Sequence, residues 1–153
     1  MSLVSLVRIR ENSINSMKRA ILESLELIDY SFKKEIRTVV IKPNLCFYWD
    51  YSTGQTTDPR FVAALIDLIR EKTSTNVDIA VVESDASAMK CKHAFKMLGY
   101  NKLAQDRKIR LVNLSEDKCD MLEVSSGARS FHLMFPHTIR NADLKINLPK
   151  IKY

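Results

Sequence analysis

Thr38-Val39-Val40-Ile41-Lys42-Pro43-Asn44 decides the fold of this chain. Four consecutive β-branched residues without polar alternation suit a strand covered on both faces, and such strands belong to parallel sheets. The reading predicts a strand over residues 37–42 that stops on a cation, a rigid proline and an amide. In open α/β sheets, ligands bind outside the carboxyl ends of the strands. The same stretch therefore also indicates where a site should lie, without specifying a reaction.

Downstream, a loop over residues 44–56 leads to Thr57 or Asp58 as a helix cap, with Pro59 in the first turn. Phe61, Val62, Leu65, Ile66 and Ile69 recur at helical spacing as its buried stripe. Residues 77–82 repeat the strand signal and end on Glu83-Ser84-Asp85. Residues 86–98 read as a helix stopped by Gly99, with a further turn at 102–105, and residues 109–114 as another buried strand. Upstream, residues 3–9 alternate weakly and are expected as a first strand. Asn12 or Ser13 then caps a helix carrying Ile14, Met17, Ile21, Leu25 and Ile28.

The rhythm changes after residue 114. Two short runs, 121–124 and 130–135, flank Ser125-Ser126-Gly127-Ala128 and predict a β-hairpin. Residues 136–141 suit a helical turn and 144–148 a last strand. The sum is one α/β domain over residues 1–153, with a mainly parallel Rossmann-like sheet flanked by helices and a small antiparallel hairpin annex.

At 153 residues, with 46% apolar and 27% charged residues but only 3 Gly and 4 Pro, the chain has enough material for one core and little for flexible linkers. Cys46, Cys91 and Cys119 are far apart in sequence and form no CxxC pair, which argues against a disulfide framework or zinc site and fits a reducing cytoplasm. No run has the length of a membrane span, and the first ten residues lack signal-peptide character. The net charge of +6 is distributed in short groups interleaved with carboxylates. No nucleic-acid motif accompanies it, so specific nucleic-acid binding is not expected.

Polar residues follow each expected strand. Lys42 suits an anionic carboxylate or phosphate, and Asn44 stands beside it; Thr57 and Asp58 lie at a helix amino terminus, where free N–H groups attract anions. Asn147 and Lys150 close the last strand. These six are the expected ligand-binding set, with no metal assigned. Lys42, Glu83 and Asp85 are the catalytic candidates, the two carboxylates for proton transfer or oxygen ligation. Ordinary strand ends and helix caps account for the same residue types. Phe47-Tyr48-Trp49-Asp50-Tyr51 surrounds one carboxylate with four aromatics, to cover a ligand, recruit a partner or roof the core. Neither GxGxxG nor GxxxxGK[ST] occurs.

Val40-Ile41-Lys42-Pro43-Asn44, Thr57-Asp58-Pro59, Val81-Val82-Glu83-Ser84-Asp85, Leu98-Gly99-Tyr100, Val112-Asn113-Leu114-Ser115 and Ile146-Asn147-Leu148-Pro149-Lys150 together resemble the uncharacterised family "domain of unknown function 362" in order and spacing. The resemblance implies a bacterial or archaeal cytoplasmic protein in a redox or iron–sulfur setting, with a redox protein as partner. Without a CxxCxxC run, no cluster is expected within this chain. Members of the family continue past the Pro-Lys motif, which makes this chain either an abbreviated member or the amino-terminal part of a longer protein. Two readings follow: a crevice for a small anionic substrate or cofactor, or a non-catalytic module docking on a redox partner through residues 47–51.

Overall fold

Alternating strands and helices build a four-stranded parallel sheet in the computed structural model, which describes residues 3–127 and 129–151. Ala128 of the expected turn lies outside the described residues. The order of elements is α1 (Ile14–Glu26), β1 (Thr38–Pro43), α2 (Pro59–Lys72), β2 (Asp78–Glu83), α3 (Cys91–Met97), α4 (Tyr100–Arg107), β3 (Arg110–Asn113), β4 (Cys119–Ser126), β5 (Arg129–Pro136), α5 (His137–Arg140) and β6 (Leu144–Leu148). The sheet runs β3-β2-β1-β6, and β4 pairs with β5 in a separate antiparallel hairpin. No helix among the described residues is long and apolar enough to cross a membrane.

Side-chain alternation along the strands creates two unequal layers. Val39, Ile41, Ile79 and Val81 face α1 to α4 in the main core with Val62, Ile66, Phe95 and Tyr100. Val40, Ala80 and Val82 face the other way, under Ile139 of α5 and Ala142. Each fully buried Val or Ile contributes about 1.5–3 kcal/mol of transfer free energy. This explains why β1 and β2 read as unbroken apolar runs.

The helices begin where cap chemistry dictates. Ser13 accepts the Ser16 amide at the start of α1, and Asp58 accepts the Arg60 amide at the start of α2, with Pro59 at the first position.

Two expectations are corrected. Residues 3–9 form no strand: Leu3, Val4 and Leu6 are 66%, 91% and 91% exposed, and the segment joins no ladder. A strand-like sequence becomes a strand only beside a partner, and here a groove separates it from β6. The helix expected over 86–98 starts at Cys91, because the Asp85 carboxylate captures the Cys91 amide at 2.9 Å while Ala86 and Met89 close a bridge ahead of it. The single turn expected at 102–105 is a helix of eight residues, α4. The hairpin is present and longer than expected. None of its described residues belongs to either core, and Met121, Phe131, Leu133 and Met134 are exposed.

Candidate functional site

The sheet changes direction between β1 and β6. From β1 the chain steps to β2 and β3 through helices on the main-core face, then returns to the other side of β1 by way of the hairpin and α5 on the opposite face. That reversal opens a crevice at the carboxyl ends of β1 and β6, the place where open α/β sheets take ligands.

Register determines what stands there. Lys42 pairs with Asn147, and Val40 with Lys145, in the β1–β6 ladder. Alternation puts Lys42, Lys145 and Asn147 on the face opposite the main core. A hollow of about 470 Å³ is lined by these three with Val40, Pro43, Asn44, Ile139, Ile146 and Pro149. Lys145 was not among the residues expected from sequence, although its place two residues before Asn147 on one strand was the available signal. Its ammonium donates to the Ala142 carbonyl at 2.6 Å.

Lys42 reaches across the carboxyl edge to the Glu83 carboxylate at 2.8 Å, its side chain 40% exposed. Glu83 is 5% exposed and also accepts the amides of Ser84 at 3.0 Å and Leu45 at 3.3 Å. These bonds fasten the loop after β1 to the end of β2 and orient the lysine. In this arrangement Glu83 is a fully engaged acceptor that positions Lys42.

Thr57 pins the floor of the crevice. Its hydroxyl accepts the Asn44 amide at 2.9 Å and donates to the Leu148 carbonyl at 2.9 Å, so one side chain joins the ends of β1 and β6. Its own amide donates to the Asn44 carbonyl, and its carbonyl accepts the hydroxyl of the fully buried Tyr100. The Asn44 side-chain amide donates to the Gln55 carbonyl at 3.1 Å. Asp58 fills the anion position at the start of α2 itself and holds Arg60 through charge-assisted bonds of 2.7–3.1 Å.

Asp85 stands in a second cluster, at the ends of β2 and β3. It accepts from Lys90, Cys91 and Asn113, while its amide donates to Ser115. The Lys90 ammonium first, then the Cys91 amide, holds its carboxyl below the usual carboxylate range. Lys150 is half-buried and does not line the hollow. The structure thus brings Lys42, Asn44 and Asn147 together with Lys145, with Thr57 beneath them and Glu83 behind Lys42.

In the aromatic loop Tyr48 turns inward against the main core, and its hydroxyl accepts the Lys90 amide. Tyr51 lies under the Arg60 guanidinium at 4.8 Å. Phe47 and Trp49 point outward, 44% and 50% exposed, with ring centroids 5.3 Å apart. Phe47 adopts a left-handed φ of 51°, uncommon for an aromatic residue.

An iron–sulfur cluster does not fit the three cysteines. Among the described residues no group of three or more His, Cys, Asp or Glu is placed to hold a metal ion. Burial pushes the Cys91 thiol up to about 12, and the thiol donates to the Glu83 carbonyl at 3.5 Å.

A family model described as Domain of unknown function (DUF362) matches residues 39–153, which include every strand but for the first residue of β1, and all the helices except α1. Searches of curated proteins and of solved structures find no match.

Proposed function

Because the chain belongs to the DUF362 family, a kinship that carries no reaction with it, we propose a function from the site's own chemistry: the crevice between β1 and β6 binds a small anionic ligand. The observation supporting this is the ladder pairing of Lys42 with Asn147, with Lys145 one step along the same face. Two lysines and two asparagines line one hollow, and the neighbouring carboxylate, Glu83, which pairs with the Lys42 ammonium, is also engaged by two backbone amides. Carboxylate or phosphate is the complementary chemistry. Ile139 and Ile146 supply the apolar walls for the rest of the molecule.

The probes are inorganic phosphate and malonate, followed by NMR at low ionic strength. Both should shift the amides of Lys42, Asn44, Lys145 and Asn147. Lys42→Met and Lys145→Met should each weaken binding by about tenfold or more, the equivalent of one charge-assisted hydrogen bond. Wild-type affinity in Lys42→Met sinks the assignment.

A second reading rests on the outward stack of Phe47 and Trp49: a non-catalytic module that docks on a partner protein. The resemblance supplies a redox protein as that partner, in a cytoplasmic setting consistent with the three free cysteines. On this reading Trp49→Ala removes partner binding and leaves the anion-induced shifts unchanged.

A further inference from the structure

β6 is the last strand of the parallel sheet, so the outer row of its backbone N–H and C=O groups has no ladder among the described residues. Exposed edges of this kind are templates for another strand. The opposite edge, β3, is only four residues long.

The apolar layer is also unfinished at β6. Leu144, Ile146 and Leu148 are half-buried, whereas Val39, Ile41, Ile79 and Val81 on the same face are at most 1% exposed. A groove of about 670 Å³ runs along this edge, walled by Ile21 and Leu25 of α1 and by Leu6 and Val7.

We propose that a second copy of this chain closes the edge, its β6 pairing antiparallel with the first about a two-fold axis through Ile146, perpendicular to the sheet. The occupant follows from the sequence Leu144-Lys145-Ile146-Asn147-Leu148, which is symmetric in polarity about its centre. In that register Leu144 lies opposite Leu148, Lys145 opposite Asn147, and Ile146 opposite itself. The strand's one cation therefore meets an amide and never its own copy. Centring the axis on Lys145 would set two ammonium groups face to face; centring it on Asn147 would put Lys145 opposite Pro149, which has no N–H to give.

The axis keeps both helical layers on one side, so the two grooves face each other and α1 of each copy covers apolar surface of the other. The product is a continuous eight-stranded sheet.

This inference is independent of the ligand reading, because association is measured without any anionic ligand. Sedimentation velocity over a range of protein concentrations should show a monomer–dimer equilibrium. Asn147→Lys places like charges directly opposite at two symmetric positions and should weaken the dimer by about three- to tenfold; Asn147→Asp should strengthen it by a similar factor. Lys145→Glu combined with Asn147→Lys should recover association, and circular dichroism checks the fold of each variant. A protein that stays monomeric in both the wild type and Asn147→Asp overturns the proposal. So does a dimer indifferent to the charge at residue 147, which would form through another surface.

Discussion

Glu83→Ala should lower the unfolding free energy by about 2–4 kcal/mol, read as a fall in the urea midpoint with an unchanged slope. The loss comes from the acceptor side. The carboxylate is nearly fully buried and receives the Leu45 and Ser84 amides together with the Lys42 ammonium. Truncation strands the Leu45 donor, which is buried, and weakens the Ser84 donor, which is partly so. An unsatisfied buried amide costs about 1–3 kcal/mol. The ion pair adds little of its own, since Lys42 is 40% exposed and regains water once released.

Lys42→Met should therefore cost less than Glu83→Ala, because Glu83 keeps both backbone donors in that variant. Glu83→Gln should fall between them, keeping oxygen for one amide while turning an NH₂ toward the other. Equal losses in the three variants would mean that the ion pair, not the amide clamp, dominates. A Glu83→Ala midpoint within experimental scatter of wild type would mean that the loop after β1 is held by other contacts. The distinction matters for function: a fastener at Glu83 keeps Lys42 aimed over the crevice, and its loss should disorder the site before it unfolds the sheet.

The local parts of the fold were legible in the sequence. Four β-branched residues ending at Lys42-Pro43 can hardly be anything but a buried strand, and Asp58-Pro59 carries its own helix-start chemistry. What failed locally was decided at a distance. Residues 3–9 have the composition of a strand, but β6, the edge they would need, lies across a groove. The start of α3 departs from the sequence pattern because helical periodicity extends through residues 86–98, while the Asp85 side chain, reaching forward six residues, sets the first turn at Cys91. The candidate site divides in the same way. Lys42 and Asn147 were each visible as polar strand ends, but their adjacency depends on β6 inserting beside β1 instead of β3, a matter of sheet order. The role of Glu83 was not visible because one of its donors belongs to Leu45, 38 residues earlier. Lys145 is within reach of the period-two rule, two residues before Asn147 on one face of the same strand.

Thr57→Val should cost about 2–4 kcal/mol despite the near-identical shape of the two side chains, because the hydroxyl acts twice. It accepts from the Asn44 amide and donates to the Leu148 carbonyl, both at 2.9 Å, and Thr57 is 3% exposed. Valine fills the space and satisfies neither group. The damage should be concentrated at the junction of β1 and β6, where that hydroxyl links Asn44, just past β1, to Leu148, the last paired residue of β6. Amide hydrogen exchange then provides the decisive reading: protection at Asn44 should fall more than protection at Ile41 or Val81 in the sheet interior. Phosphate or malonate binding should weaken with it, since Asn44 and Asn147 would lose the support that holds them on opposite banks of the crevice. Thr57→Ser, which keeps both bonds and loses only a methyl group, should stay within about 1 kcal/mol of wild type and retain the Asn44 protection. If Thr57→Val preserves that protection, the ends of β1 and β6 are held by their ladder alone, and the crevice owes its shape to the sheet and not to this threonine.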